Sequence, residues 1–488
     1  MKFGLNDQEI QQIQSVFAKY PAIHTVLVFG SRAINTFQPA SDIDLALKGD
    51  INFGLLAQVK GELEELPLPY FFDVVNYHDI NTTEFKDQID KHGKIFYLRG
   101  WEEVKLGDVA EILKLQWKSG DEEQKYIGLE HINQEELTIN GFGCSNKLES
   151  NKFYFKTGDI LFGKLRPYFR KVWLAKFDGV CSTDIWVIKA RENNDQKFLF
   201  YFVANPVFID KSMGASTGTH MPRADWNFLI NTKWYIPSLP EQHAIAAVLS
   251  SLDDKIELLR EQNKTLEATA QAVFKEWFVN FNFPGATGKM IDSELGEIPE
   301  GWKIGKLGEE FEIIMGQSPD GKSYNEQGEG MIFFQGRTDF QERFPKTRLF
   351  TTEPKRIAEK FDTLVSVRAP VGDINVAFEQ CCIGRGLGAV RSKYKSYALY
   401  KIKPLKEVFE NFETEGTIFG SINKDSFLNI EVIIPCSVII DDFEKTINPI
   451  DQKIFNNSSQ IQTISNLRDV LLPKLMNGEV KVRMITNS

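Results

Sequence analysis

The sequence predicts an α+β multidomain protein with a small α/β domain, two strand-rich α+β domains, and two long helices that pair antiparallel as a coiled coil. Three observations support this fold class. The chain has 488 residues, which is more than one hydrophobic core normally serves. A long segment occurs twice, and each copy ends in an apolar run with heptad spacing. The first 98 residues lie outside the repeat and have a pattern of their own.

The composition excludes several classes of protein. Hydrophobic residues make up 42% of the chain and charged residues 25%, as in ordinary globular proteins. No run reaches the roughly 18 apolar residues that a membrane helix needs, and the N-terminus lacks a signal peptide's apolar stretch. The cysteines are not in C-x-x-C pairs, so neither a disulfide framework nor a zinc site is expected. We therefore expect a cytoplasmic protein with reduced cysteines, which are Cys144, Cys181, Cys381, Cys382 and Cys436.

The first domain, predicted over residues 1–98, carries the motifs that indicate catalytic chemistry. An apolar strand, "HTVLVFG", leads into "GSRAINTFQPASDIDLAL" at 30–47. Asp42 and Asp44 alternate along a predicted strand, so both carboxylates project from one face. Together with Asp73 on a neighbouring strand they are the candidate catalytic and metal-ligating residues, able to hold Mg²⁺ ions that clamp a nucleotide's phosphates. Gly30 and Ser31 are the candidate cofactor-binding residues, next to those phosphates.

This pattern, G-S followed eleven residues later by D-x-D, resembles the minimal nucleotidyltransferases, relatives of DNA polymerase β. The resemblance implies Mg²⁺ and a nucleoside triphosphate as cofactors, and relatives are often antitoxins that modify a partner toxin. Members of that family often carry a glycine shortly after "GSRA", whereas Ile34, Asn35 and Thr36 follow here. The alternative is a docking module that keeps the fold without the chemistry.

The internal repeat determines the rest of the architecture. "GWEEVKLGDVAEIL" from Gly100 recurs as "GWKIGKLGEEFEII" from Gly301, and "SLDDKI" at 251–256 recurs as "PIDQKI" at 449–454. Each copy has a strand-rich stretch of short β-branched and aromatic runs, followed by a long helix. The predicted boundaries are 99–243 for the first strand-rich domain, 244–281 for a central spacer helix, 282–298 for a linker, 299–440 for the second strand-rich domain and 441–482 for a C-terminal spacer helix.

The two spacer helices have apolar residues at alternating steps of four and three, which indicates a coiled-coil seam. Each seam contains one asparagine, Asn263 in the first and Asn457 in the second. Parallel pairing would strand both amides opposite apolar side chains, whereas antiparallel pairing puts them in one layer. We therefore predict an antiparallel pair whose register is fixed by the two asparagines. The alternative places both asparagines on solvent-facing sides. Such a pair would hold two domains apart, as two separated sub-sites on one DNA duplex require.

Basic residues are clustered in short segments and are not in excess over the whole chain. The net charge is −10, yet residues 99–240 carry 19 Lys and Arg against 18 Asp and Glu. The segment "KLRPYFRKVWLAK" at 164–176 has five basic residues and no acidic one, with aromatic residues interleaved. Such side chains contact phosphates and guanine, although a solvated strand face would have the same pattern. The candidate DNA-binding residues are Lys164, Arg166, Arg170 and Lys171 in the first copy and Arg337, Arg348 and Arg368 in the second, with Arg166 and Arg368 at similar points of the two repeats.

From about Arg99 to Val482 the chain resembles the specificity subunits of type I restriction-modification systems. The resemblance rests on "GDILFGKLRPYFRKVWLAKFDGVCSTDIWVI" (158–188), "IPSLPEQHAIAAVLSSLDDKIELLREQN" (236–263), "ELGEIPEGWKIGKLGEEFEIIMGQSP" (294–319) and "LLPKLMNGEV" (471–480). It implies two target-recognition domains that read a bipartite DNA sequence, without catalysis on DNA by this chain. It also implies spacer helices that dock partners: modification subunits that methylate adenine with S-adenosylmethionine, and an ATP-driven restriction subunit.

The sequence therefore predicts a sequence-specific DNA-binding specificity subunit that takes part in defence against foreign DNA. Two alternatives stay open. In one, a Mg²⁺-dependent nucleotidyltransferase is the working part, and the two-domain rod serves as its DNA or partner address. In the other, the chain is a scaffold whose recognition domains no longer bind a defined sequence.

Overall fold

The computed structural model describes residues 2–214, 222–368, 370–409 and 420–482. They form two compact units: Met1–Asp254 with Ser465–Ser488, and Lys255–Ile464. All five cysteines are free thiols. Among the described residues, none of the helices combines the length and apolarity needed to cross a membrane.

The first unit begins with a four-stranded sheet made of β1 Ile23–Val28, β2 Ile43–Gly49, β3 Phe72–Asn76 and β4 Lys94–Leu98. Its strand order is β3-β2-β1-β4, in which β2 and β3 are parallel and the other pairs are antiparallel. The apolar residues of β1 and β2 are buried against the helices in one core. A capping box between Asn6 and Glu9 begins the first helix, because each side chain accepts a hydrogen bond from the other residue's backbone N–H. The elements are α1 Asp7–Ala18, β1 Ile23–Val28, α2 Gly30–Ala33, β2 Ile43–Gly49, α3 Phe53–Glu64, β3 Phe72–Asn76, α4 Thr83–His92 and β4 Lys94–Leu98, with a 3₁₀ turn at Tyr77–Asp79.

The first strand-rich domain, in the same unit, contains a two-stranded, a four-stranded and a five-stranded sheet. The four-stranded sheet is antiparallel and has the order 172–174, 160–163, 185–190, 110–113. The strands are Trp101–Lys105, Ala110–Leu113, Gln116–Trp117, Lys125–Ile127, Gly143–Cys144, Lys152–Phe155, Ile160–Gly163, Val172–Leu174, Gly179–Cys181, Ile185–Ala190 and Lys233–Pro237. The helical segments are Leu106–Val109, Leu129–His131, Ser145–Lys147, Pro167–Phe169, Gln196–Ala204, Pro206–Met213 and Trp226–Leu229.

The second strand-rich domain, in the second unit, repeats this plan. Its four-stranded sheet has the order 374–376, 363–366, 387–391, 312–315, and it is accompanied by a five-stranded sheet. The strands are Met290–Ile291, Ile298–Pro299, Lys303–Lys306, Glu312–Met315, Tyr324–Asn325, Met331–Phe334, Leu349–Thr351, Ile357–Ala358, Thr363–Ser366, Ile374–Val376, Cys381–Ile383, Leu387–Arg391 and Glu431–Ile434. The helical segments are Leu307–Glu310, Gly321–Ser323, Arg337–Asp339, Lys395–Ile402, Lys403–Leu405 and Lys424–Leu428.

Two 40-residue helices complete the chain, the central helix Leu239–Phe278 and the C-terminal helix Ser437–Met476. Each helix begins earlier and also ends earlier in the chain than the corresponding predicted spacer helix. The central helix starts early because Pro240 is compatible with a helix's first turn, where no N–H is needed. The C-terminal helix is followed by Gly478 at φ +72°, a conformation that commonly ends helices.

The helix pairing can be followed within each unit. In the first unit, Ile245 and Leu249 share a core with Leu472 and Leu475. In the second unit, Phe274 packs on Phe443 with ring centroids 5.7 Å apart, and Asn263 lies beside Asn457. Residues late in the central helix therefore meet residues early in the C-terminal helix, which makes the pair antiparallel. The predicted fold class is confirmed, while the domain boundaries stay predictions.

Candidate functional sites

The acidic site of the first domain is built where β2 and β3 run side by side. Asp44 lies opposite Asp73 in this parallel pair, and Asp42 precedes β2. Gly30 begins α2 at φ +65°, and a Cβ added there would lie 2.2 Å from Oδ2 of Asp44. Only glycine therefore allows the backbone to pass this close to the carboxylate.

The electrostatics of the site centre on Asp44. Burial raises the pKa of its carboxyl, and the charges of Asp73 and Asp42 raise it further, while Arg32 opposes them. Asp42 and Asp73 are exposed and Ser31 is partly buried. Within the described part of the chain, no three or more His, Cys, Asp or Glu side chains are grouped closely enough to hold a metal ion. The assignment of Asp42, Asp44 and Asp73 as metal ligands therefore stays a prediction.

Arg32 is a residue of this site that the sequence analysis overlooked. Its side chain is 1% exposed, and its Nε donates to the backbone oxygens of Ser41 and Asp42 at 3.1 and 3.0 Å. Its Nη1 donates to the oxygen of Phe3 at 2.8 Å, and the guanidinium lies 4.8 Å from the ring centroid of Tyr70. Arg32 thus fixes the backbone that presents Asp42. Its position inside "GSRA" was the available clue.

Asn35 adopts the left-handed backbone conformation that a glycine after "GSRA" would otherwise provide. Asn35 has φ +59°, in the left-handed region that asparagine tolerates better than most residues. The N–H of Thr36 donates to the oxygen of Ser31 at 3.0 Å, which closes the loop. The loop conformation therefore does not require glycine here.

The basic segment of the first strand-rich domain borders a cleft of about 500 Å³. Lys164 lines this cleft, and it makes no ion pair with any described residue. Aromatic walls come from Trp186 and Trp226, whose ring centroids are 5.3 Å apart. The other lining residues are Ile112, Leu113, Lys114, Phe153, Thr183, Ile185, Arg223, Ala224, Asp225 and Asn227. The cleft combines three basic side chains with flat apolar surfaces.

The remaining candidates of this segment differ in their exposure. Arg166 and Arg170 both have positive φ, +51° and +45°, and flank the 3₁₀ turn Pro167–Phe169. Burial lowers the pKa of Arg170, and its Nε and Nη2 atoms are buried without a hydrogen-bond partner among the described residues. Burial also lowers the pKa of Lys171, whose Nζ donates to the backbone oxygen of Leu129.

In the second strand-rich domain, two candidates are already held by carboxylates. Arg337 pairs with Asp373 at 2.5 Å, and Arg348 pairs with Asp339 at 3.2 Å. Both arginine side chains are about half exposed, at 48% and 50%. Arg337 also lines a cleft of about 740 Å³ in this unit.

Arg166 and Arg368, which the sequence puts at similar points of the two repeats, lie one residue apart in the register of the two sheets. Arg368 forms a bridge with Ser421, whereas in the first domain Leu165 forms the corresponding bridge with Arg223. The two arginines do not align because Arg166 follows the end of its strand by three residues and Arg368 follows the end of its strand by two. Arg368 is exposed and makes no ion pair with the residues that the structure describes.

The asparagines of the helix pair form one polar layer in the second unit. Nδ2 of Asn457 donates to Oδ1 of Asn263 at 2.9 Å, and Nδ2 of Asn263 donates to Oγ of Ser458 at 3.2 Å. Asn457 is fully buried, and its Oδ1 has no partner within the described residues. Pairing of these amides requires this one register of the two helices.

Each unit also contains a buried tyrosine–aspartate–arginine cluster between a strand-rich domain and the helices. In the first, the hydroxyl of Tyr201 donates to Asp253 at 2.6 Å, and Arg468 donates to the same carboxylate at 2.8 Å. In the second, Asp451 accepts from Tyr400 at 3.0 Å and from Arg343 at 2.6 Å. The two aspartates are the repeated positions of "SLDDKI" and "PIDQKI". That recurrence was the clue to their role, whereas the arginines come from unrelated places and could not be found by the repeat.

Comparisons with known proteins agree with these features. The family model "Type I restriction modification DNA specificity domain" matches residues 99–268 and 299–459, and the model "Polymerase beta, Nucleotidyltransferase" matches residues 11–100. The MjaX specificity subunit of a type I restriction enzyme from Methanocaldococcus jannaschii is 28% identical over 408 residues, covering 78% of this chain and 94% of the relative.

Two further relatives have the same coverage of this chain. The HindI specificity subunit of Haemophilus influenzae is 23% identical over 78% of this chain and 99% of its own length. A crystal structure of the HsdS subunit from Thermoanaerobacter tengcongensis is 28% identical, covers 78% of this chain and 97% of that chain, and has a TM-score of 0.32.

Proposed function

We propose that the two strand-rich domains of this chain each read one half of a bipartite DNA sequence, because the chain belongs to the type I restriction modification DNA specificity family. DNA sequence specificity is the function of this family and of this chain. The two strand-rich domains are therefore called the first and second recognition domains. The family model matches once in each domain, and the four-stranded sheets of the two domains have the same strand order. One reading domain for each half-site is the simplest use of such a repeat.

The observation that carries the proposal is the cleft of the first recognition domain. Lys164 and Lys114 supply positive charge beside Trp186 and Trp226, and Arg223 lines the same cleft while pairing with Asp184 at 3.4 Å. Cationic side chains position DNA through its phosphates, and neighbouring polar and apolar groups contact base edges. This local arrangement compensates for a net charge of −10, which would otherwise disfavour DNA.

The partners follow from the same family role. Specificity subunits of type I systems bind DNA and assemble with methyltransferase and restriction subunits. We propose that this chain assembles with both, and that the paired long helices provide their docking surface. On this proposal, S-adenosylmethionine and ATP are used by the partners, and the recognition domains need no cofactor.

A binding selection tests the DNA role. The chain, purified with its modification subunits, is incubated with random-sequence duplexes at physiological salt, and the retained DNA is sequenced. The expected result is two short half-sites at a fixed spacing. Retention without any motif, weakening as salt rises, would mean that only the DNA backbone is contacted and would overturn the proposal.

The acidic site supports a second proposed function, Mg²⁺-dependent nucleotide transfer by the N-terminal domain. Mg²⁺ is usually held by one or two carboxylates together with substrate phosphates, so the pair Asp44 and Asp73, with Asp42 beside it, has suitable ligand chemistry. When bound, the ion would neutralise phosphate charge. On this proposal, Gly30 would let the backbone approach those phosphates, and the hydroxyl of Ser31 would hydrogen-bond them.

Labelled nucleoside triphosphates test this second function. The purified complex is incubated with each of the four triphosphates and Mg²⁺, and label on protein or nucleic acid is measured. The second function is supported if nucleotide transfer disappears in the double variant Asp42→Ala plus Asp44→Ala and persists in Asp50→Ala. Asp50 is an exposed acidic residue of the same domain and serves as the control. Absence of label with every triphosphate and with all partners present would leave a docking role for this domain.

A further inference from the structure

The connection between two neighbouring strands distinguishes the two recognition domains. In the first, Phe162 pairs with Val172, ten positions later. In the second, Val365 pairs with Ile374, nine positions later. We call residues 164–171 the first turn and residues 367–368 with 370–373 the second turn. The two domains thus differ in length at one defined point of a shared sheet.

The backbone that anchors both turns is the same. In the first, the N–H of Lys164 donates to Asp184 and its oxygen accepts from Ala224, both at 2.9 Å. In the second, Val367 donates to Gly386 at 2.9 Å and accepts from Ile422 at 3.1 Å. Since the anchors match, the difference lies in what each turn presents beyond them.

The first turn presents a tyrosine on a strained, well-supported backbone. Tyr168 is 43% exposed, and its hydroxyl forms no hydrogen bond with the described residues. Arg166 and Arg170 on either side have left-handed φ values, a costly conformation for residues other than glycine that persists only where the surroundings enforce it. That support comes from buried Pro167 and from the helix Pro206–Met213, which packs against the turn.

Among its described residues, the second turn presents the exposed side chain of Arg368 and no exposed aromatic ring. Val371, which follows Pro370 as Tyr168 follows Pro167, is 2% exposed. Asp373 is held by Arg337 and Lys406. Two domains that share a scaffold but read different half-sites must differ in side chains that reach bases, because phosphate contacts carry no sequence information.

We infer that Tyr168 is a specificity-determining residue of the first recognition domain and contacts a base in one half of the DNA target. The inference rests on the proposed reading of a bipartite sequence. A rigid turn loses little entropy when its side chain binds. The free hydroxyl can donate to or accept from a base edge, and the ring can contact a thymine methyl group in the major groove.

The test is a binding selection on random duplexes with the complete modification complex containing Tyr168→Ala, run beside the unaltered complex. The matched control is Phe142→Ala, which removes another exposed aromatic ring, 52% exposed, from the same domain. We expect Tyr168→Ala to reduce base preference by about tenfold or more at one or two adjacent positions of one half-site. The remaining positions of that half-site and the whole of the other half-site should be unchanged, which shows that both recognition domains are folded, and Phe142→Ala should keep both half-sites.

Three results would overturn the inference: an unchanged motif with Tyr168→Ala, equal loss of both half-sites, or the same loss with Phe142→Ala. These differ from failure of the proposed function, in which the unaltered complex itself selects no motif.

Discussion

Gly30 shows how a single residue allows the acidic site to exist. Any side chain at this position meets two obstacles, a φ of +65° and the carboxylate of Asp44, whose Oδ2 would be 2.2 Å from the new Cβ. Gly30→Ala should therefore destabilise the N-terminal domain by about 1–3 kcal/mol. Hydrogen exchange of the amides in β1 and β2 measures this local stability within the full chain.

Gly61 provides the matched control for this substitution. It lies inside α3, and an added Cβ would meet nothing within 4 Å. Gly61→Ala should be neutral or stabilise the same domain by about 0.5–1 kcal/mol, because alanine is the better helix former. Equal effects of the two substitutions would contradict the close approach of Gly30 to Asp44.

Asp44 gives a prediction for pH dependence. Its pKa is raised in the folded protein by burial, Asp73 and Asp42, so the folded state disfavours the charged carboxylate. The unfolded chain loses this proton at the ordinary, lower pKa. The free-energy cost that ionised Asp44 imposes on the folded state therefore grows as pH rises from the ordinary pKa to the raised one, and it stays constant above the raised pKa. Asp44→Asn should raise the thermal unfolding midpoint at neutral pH, and this gain should vanish below the ordinary pKa of aspartic acid.

Melting curves of both proteins across pH, with Asp50→Asn as an exposed control, check this prediction. A gain for Asp44→Asn that persists at the acidic end would show that the carboxylate's charge is not its cause. A gain of equal size for Asp50→Asn would assign it to net charge rather than to the crowded site.

At the level of elements, the helix pair depends on the amide layer of Asn263 and Asn457. Asn457→Leu leaves the amide of Asn263 without its main partner, which should lower the free energy of unfolding by about 1–3 kcal/mol. The double substitution, with Leu at both positions, should cost less than the single one, because no buried amide remains. Urea unfolding of the wild type, both single variants and the double variant measures the coupling.

The two substitutions would be additive if the asparagines did not interact, and that outcome would contradict their role in the register. A cysteine cross-linking experiment on the double variant adds a second measurement. Leucine at both positions removes the penalty for sliding, so cross-links at shifted positions should increase.

The elements were predictable to different degrees for physical reasons. Heptad spacing reports directly on which helix face is buried, so the antiparallel pair and its asparagine layer followed from the sequence. Side-chain burial in irregular segments has no such periodicity. Arg170 therefore looked like an exposed basic residue, although its guanidinium is largely buried, and matching by residue type paired Arg368 with Arg166 where the structure pairs it with Leu165.

Packing partners far apart in sequence were the least predictable. Arg343 reaches Asp451 and Arg468 reaches Asp253, yet the two arginines occupy unrelated positions in their units. The repeat identifies the aspartates because both copies keep them. The arginine that neutralises each one is found only when the fold is known.

At the level of the whole molecule, the net charge of −10 opposes DNA, so affinity must come from a few local phosphate contacts. Each such contact releases counterions, and its loss lowers the slope of log affinity against log salt by about 0.9. Lys164 lines the basic cleft without an ion-pair partner among the described residues, so its ammonium is available to a phosphate. Lys164→Gln should reduce the slope by about 1 while leaving the selected sequence unchanged.

Binding of the purified complex to its target duplex over a range of salt concentrations measures this slope. The control is Lys156→Gln in the same domain, since Lys156 is 72% exposed and pairs with Asp178 at 3.0 Å. The slope should stay at the wild-type value in this control, because both variants change net charge equally and only one removes a cleft contact. Equal reductions in the two variants would mean that the overall charge of the chain, and not the cleft, controls its affinity for DNA.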